Sequence, residues 1–201
     1  MKKFLLALLV MLVFVTGCSS NNQSNNDESS GNTNESQDAT NDQTTTEDSN
    51  ILIAYFSKTG NTEAIAQEIQ SLTNGTLVEI ETVEPYPDSY SETVDIAESE
   101  KEANARPEIS TTVDNMDQYD TIFIGYPIWW HDAPMAVYTF LENYDFEGKT
   151  VIPFCTSGGS DIEESIPGIE AAVSGATMLE GLTANDSSDV QPWLEEIGIL
   201  K

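Results

Sequence analysis

Positive charge is scarce in this sequence. Lysine and arginine together number seven against 35 aspartates and glutamates, a formal net charge of −28. A surface of that sign repels nucleic acid and anionic lipid headgroups, so neither is an expected partner. Cysteine is scarcer still: Cys18 and Cys155 are the only two, which excludes a disulfide framework and a thiolate metal cluster. No metal site is expected. The patterns G-x-G-x-x-G and G-x-x-x-x-G-K-[ST] are missing, which sets aside the usual dinucleotide and nucleoside triphosphate sites. Ser157 lies in no G-x-S-x-G elbow and His131, the single histidine, has no evident nucleophile to serve, so a hydrolase is not indicated.

What is present begins with a targeting segment over residues 1–17. Lys2 and Lys3 form a charged start, Phe4 to Val15 an apolar stretch, and Thr16-Gly17-Cys18 a small-residue cleavage site. The apolar run is too short and wrongly flanked for a membrane span. Val15-Thr16-Gly17-Cys18 resembles a bacterial lipobox, which implies a mature chain that begins at a lipid-bearing Cys18. Several acyl chains hold a protein firmly on a membrane, whereas one chain holds it only marginally. Residues 19–50 contain one apolar side chain, Ala39, with seven acids and no base. They have nothing to bury against the entropy of ordering, and residues 18–50 are expected to form a disordered acidic tether.

Residues 51–201 have the length of one domain. They hold 28 acidic and five basic residues, a net charge of −23 with His131 neutral. That field favours basic protein partners, with an attraction that weakens in salt, unless it serves only as a solvated surface. Ile51 to Phe56 reads as a buried strand, and Ile65, Ala66, Ile69 and Leu72 then recur at helical spacing. A short strand is expected over Thr76 to Ile80, and a polar helix over Ser89 to Asn104 whose thin stripe of Val94, Ala97 and either Glu98 or Lys101 suggests a surface position. Further strands are expected at Thr121 to Gly125 and Thr150 to Cys155, and a helix between them through Met135, Val137, Tyr138, Phe140 and Leu141. Pro167-Gly168 is read as an interruption before a helix near Ile169 to Val173, Ala176 to Leu179 as a weak last strand, and Asp189 to Ile197 as a closing helix capped by Asp189 or Ser188. Strands alternating with helices argue for an α/β parallel sheet covered on both faces, with ligands outside the carboxyl ends of the strands.

Three loops lie at that end. Ser57-Lys58-Thr59-Gly60-Asn61-Thr62 joins a strand to a helix N-terminus and offers hydroxyls, an amide and backbone N–H groups, a cradle for a phosphate. Gly125 to Pro134 carries Trp129 and Trp130 side by side. Adjacent side chains diverge, so one tryptophan suits the core and the other is left for a planar ligand. Asp132 is read as a helix cap, and His131 as a residue at the edge of the pocket. Thr156-Ser157-Gly158-Gly159-Ser160 would let main-chain N–H groups approach a ring edge. Cys155 reads as a buried, inert strand residue.

Taken together, the three segments resemble the FMN loops of the flavodoxins, most closely the bacterial branch whose central loop reads Gly-Tyr-Pro-Ile-Trp-Trp, here Gly125 to Trp130. The likeness spans residues 51–199. It implies a flavodoxin-like doubly wound α/β fold with a five-stranded parallel sheet in the order 2-1-3-4-5, helices on both faces, and FMN as cofactor. It assigns Ser57, Thr59, Asn61 and Thr62, with the N–H groups of Lys58 and Gly60, to the phosphate. Pro127, Ile128, Trp129 and Trp130 would line the isoalloxazine, His131 would edge it, and Ser157, Gly158, Gly159 and Ser160 would close its far side. Relatives commonly carry glycine where His131 stands, so the backbone of this loop is the point of departure.

The function implied is an FMN electron carrier with no catalytic residue of its own, lipid-anchored on the extracytoplasmic side of a bacterial cell membrane and exchanging electrons with proteins that present a basic docking face. An FMN-dependent NAD(P)H:quinone or related reductase, and a flavin-free binding or structural domain on the same fold, are the competing classes.

Overall fold

The computed structural model describes residues 50–201, so the leader, Cys18 and nearly all of the tether lie outside the described residues. The strands are β1 (Ile51–Tyr55), β2 (Thr76–Glu79), β3 (Thr121–Pro127), β4 (Thr150–Thr156), β5 (Thr177–Met178) and β6 (Leu182–Thr183). The helices are α1 (Asn61–Thr73), α2 (Tyr90–Glu102), α3 (Met135–Glu142), α4 (Ile166–Ala172) and α5 (Val190–Glu196). All strand pairs are parallel, in the order β2-β1-β3-β4-β5, with β6 also on β4. No helix among the described residues is long and apolar enough to cross a membrane.

The strands are apolar throughout because alternate residues feed two separate cores. Leu52, Ala54, Ile122, Ile124, Val151 and Cys155 pack with Ala136, Val137, Phe140 and Leu141 of α3. Ile53, Tyr55, Phe123, Ile152 and Phe154 pack on the other face with Ile65, Ala66 and Ile69 of α1 and with Val190, Trp193 and Leu194 of α5. Burial pushes the Cys155 thiol up to about 11, in keeping with an inert core residue.

The last strand differs from the expectation. Instead of one run over Ala176 to Leu179, its place on β4 is shared by β5 and β6, opposite Thr150–Val151 and Phe154–Cys155 respectively. Pro153 is the reason. Carbonyls of Lys149, Val151 and Cys155 accept from Thr177, Leu179 and Ala184, so odd positions of β4 face this neighbour. Pro153 falls in that series without an N–H to give, and the ladder breaks there. Gly181 fills the gap; a Cβ on it would fall 3.0 Å from the Pro153 carbonyl oxygen.

Two helix starts also differ. α4 begins at Ile166 with Pro167 in its first turn, where a missing N–H costs nothing, so the proline opens the helix rather than interrupting it. Before α5 a 3₁₀ turn over Ser187–Asp189 is capped by Asp186, whose carboxylate accepts from the Ser188 N–H; Asp189 does hold the N-cap position of α5, but its side chain makes no capping hydrogen bond there.

At the centre of the sheet Gly125 leaves room for the ring of Phe154 opposite it. A Cβ there would sit 2.1 Å from that buried ring. Gly125→Ala should destabilise the domain by about 3 kcal/mol through overpacking, read as a lower urea midpoint with an unchanged slope.

Candidate functional site

The carboxyl ends of β1, β3 and β4 enclose a cavity of about 720 Å³. Lys58, Thr59, Asn61 and Thr62 line one end, and Pro127, Ile128, Trp129, Trp130 and His131 line another. Ser157, Gly158 and Ser160 contribute from the third loop, while Ser57, Gly60 and Gly159 are not among the lining residues. Twelve of the fifteen residues expected at a ligand are thus brought to one cavity.

At the first loop Gly60 is the N-cap of α1 at φ +82°, a left-handed conformation that glycine adopts freely. Ser57 does the capping instead: its hydroxyl accepts from the Glu63 N–H at 3.2 Å. Asn61 and Thr62, the first two helical residues, turn N–H groups without intrahelical acceptors toward the loop, at the positive end of a thirteen-residue helix dipole. Thr59 and Asn61 are exposed, whereas Thr62 is buried and its hydroxyl lies 2.9 Å from that of Thr156, joining the first loop to the third. Lys58 adds a cation beside the cradle, 3.9 Å from Asp88.

The second loop separates its tryptophans. Trp129 is half-buried in a triad with Phe56 and Tyr86, ring centroids 5.4 and 5.1 Å away, each pair edge to face. The Tyr86 hydroxyl donates to Glu100 at 2.6 Å, and burial pushes both groups above their usual ranges. Trp130 is exposed and its indole N–H donates to the Val94 carbonyl at 3.1 Å. Trp129 and Asp132 exchange two backbone hydrogen bonds, of 2.8 and 3.1 Å, around Trp130 at φ +50° and His131 at φ +64°. Two left-handed central residues are the mark of a type I′ turn, which normally uses asparagine and glycine. For side-chain-bearing residues each such position costs about 1 kcal/mol. The backbone at His131 therefore adopts a conformation that glycine enters freely and histidine does not.

Asp132 does not cap α3. The N-cap is Pro134, and the Asp132 carboxylate accepts from the Ala133 N–H at 2.8 Å and the Tyr138 hydroxyl at 2.5 Å. In the third loop Ser157 organises the turn: its hydroxyl accepts from the Gly159 and Ser160 N–H groups at 3.1 and 2.8 Å. A Cβ on Gly158 or Gly159 would meet nothing within 4 Å, so open space, not crowding, surrounds them.

A family model described as flavodoxin matches residues 50–197. The chain belongs to the flavodoxin family. Among solved structures, a candidate flavoprotein from Bacteroides eggerthii is 36% identical at a TM-score of 0.68, over 75% of this chain and 98% of that one. One from Bacteroides uniformis is 32% identical at 0.65, over 73% and 98%. A flavoprotein from Lactobacillus acidophilus, solved in complex with FMN, is 29% identical at 0.59, over 71% and 97%. No curated protein matches the chain.

The flavodoxin cavity also has walls that sequence reasoning passed over. Tyr90, Thr93, Val94 and Ala97 line it from α2, with Asp88 before them and Asn185 after β6. The thin stripe of Val94 and Ala97 was a signal, since a helix with few apolar residues still buries them somewhere; here they face the cavity. Asn185 brackets Ser157, its carbonyl oxygen accepting from the Ser157 N–H at 3.0 Å and its amide donating to the Ser157 carbonyl at 2.7 Å. Nothing local marks an asparagine for that role.

Proposed function

We propose that this flavodoxin binds FMN and carries electrons between proteins, held by lipid at the outer face of a bacterial membrane. The observation that carries the reading is one cavity with an anion cradle at one end and tryptophan at the other. Its residues fit the cofactor. The hydroxyl and amide of Thr59 and Asn61, the α1 N-terminus and Lys58 suit a phosphate. Pro127, Ile128, Trp129 and Trp130 offer apolar surface to a planar ring, and the cavity volume is that of a cofactor site. Membership of the Trp-Trp branch rests on the same residues.

When bound, FMN supplies the electron chemistry, and the chain supplies binding and environment. No side chain needs to act as acid or base. Four of the five cations in residues 51–201 are engaged by acceptors: Lys58 by Asp88, Lys101 by Trp130, Arg106 by Glu142, and Lys149 by the Met116 and Tyr119 carbonyls. Arg106 holds the Glu142 carboxyl below its usual range. The surface offered to a partner is thus dominated by uncompensated carboxylates. That supports transient docking of a basic redox protein, weakened by salt, and it disfavours added negative charge at the site.

Purified protein should be yellow, with one FMN per chain, and should oxidise NAD(P)H with a quinone no faster than free flavin does. Robust turnover would replace the carrier reading by the reductase; a colourless protein that FMN cannot reconstitute would replace both by a flavin-free domain. The leader and Thr16-Gly17-Cys18 support the anchor. Cys18→Ser should abolish incorporation of labelled palmitate and move the protein from the membrane pellet to the soluble fraction.

A further inference from the structure

The type I′ turn at the cavity rim is gripped by residues outside all three ligand loops. Lys101, in the last turn of α2, donates from Nζ to the Trp130 carbonyl and lies 3.8 Å from the Asp132 carboxylate. Glu164, in the 3₁₀ turn Ile162–Glu164, places Oε2 2.5 Å from His131 Nδ1, and the Ser160 hydroxyl lies 3.3 Å from the same nitrogen. One grip comes from the α2 side and the other from beyond β4.

We propose that Lys101 and Glu164 are positioning residues for the flavin ring, clamping Trp130 and His131 in the left-handed turn that a glycine at His131 would hold unaided. The proposal rests on the FMN reading. Its physical basis is the pair of positive φ angles, +50° and +64°, on residues with side chains. The two backbone bonds between Trp129 and Asp132 close any such turn and do not offset that cost. The external contacts do. The carbonyl held by Lys101 belongs to the peptide between the two left-handed residues, so neither φ angle can relax without disturbing that bond. The His131 ring is fixed by a carboxylate from a separate element, and Trp130 and His131 both line the cavity. A turn free to leave this conformation would take two walls of the ring site with it.

The test uses Lys101→Met and Glu164→Gln, each alone and combined with His131→Gly. In flavin-free protein, the amides of Trp129 and Asp132 report the turn directly through hydrogen exchange. Each single variant should exchange at these amides on the order of tenfold faster, the loss of one hydrogen bond to a charged group, and FMN affinity should fall by a similar factor. His131→Gly should restore the slow exchange, because glycine enters the left-handed region at no steric cost, and FMN affinity in the double variants should then equal that of His131→Gly alone. The decisive pair is Lys101→Met with His131→Gly: Lys101 bonds Trp130 and approaches Asp132, not His131, so rescue cannot come through direct contact. Unchanged exchange in the single variants, or a Lys101→Met defect that glycine leaves in place, overturns the clamp. Faster exchange and glycine rescue in a parent protein that binds no FMN would overturn the flavin role while locating the failure in the FMN reading.

Discussion

A Trp129→Ala protein is expected to lose both thermal stability and flavin. Trp129 makes edge-to-face contacts with Phe56 at 5.4 Å and Tyr86 at 5.1 Å, and these two rings contact each other at 5.7 Å. Removing the shared member leaves a cavity beneath the loop and breaks two ring pairs. A half-buried tryptophan in such a setting contributes about 2–4 kcal/mol, which for a domain of this size lowers the melting temperature by roughly 5–10 °C. The same side chain lines the cavity proposed for the flavin, so FMN affinity should fall by about 10- to 100-fold, the effect of some 1.5–3 kcal/mol of lost ring burial. Trp129→Phe should recover most of both. Thermal unfolding of the flavin-free protein and a fluorescence titration with FMN separate the two effects. Trp129→Ala protein that binds FMN like the parent would remove Trp129 from the ring site.

The second large effect comes without a stability change. Thr59 and Asn61 are exposed in the first loop, and among the described residues no side-chain hydrogen bond ties either of them down. Replacing both with alanine should leave the flavin-free domain within about 0.5 kcal/mol of the parent. FMN affinity should nevertheless drop about 100-fold, since two hydrogen bonds to a charged phosphate at about 1.5 kcal/mol each are lost. Riboflavin, which lacks the phosphate, is the control: parent and variant should bind it alike. An equal loss for riboflavin and FMN would mean that the loop senses the ring rather than the phosphate.

Both predictions concern residues that stand out in the sequence, and the residues that do not stand out show where sequence reading stops. Trp129 and Trp130 are conspicuous as neighbours, but which of them packs inward depends on Phe56 and Tyr86, which arrive from other segments. Asp132 has the look of a cap from its place ahead of α3, yet Tyr138, in the first turn of the helix, takes its carboxylate. Pro153 was visible inside a strand pattern, but its effect on β5 and β6 needed the register, because only odd positions of β4 face that neighbour. Glu164 carries no local mark at all; His131 acquires it as a partner 33 positions along the chain.

Local chemistry by itself determined the parallel α/β plan, the three loops that meet at one cavity and the polar start of α1. Each depends on interactions within a few residues: apolar runs that must be buried on both faces, small polar residues at a helix start, and paired glycines after a strand. The division of labour between the tryptophans, the broken fifth strand, the α2 wall and the grip on the Trp130-His131 turn were decided by tertiary packing. These depend on which distant groups meet: Lys101 and Glu164 reach the Trp130-His131 turn from separate elements, 29 and 33 positions away along the chain.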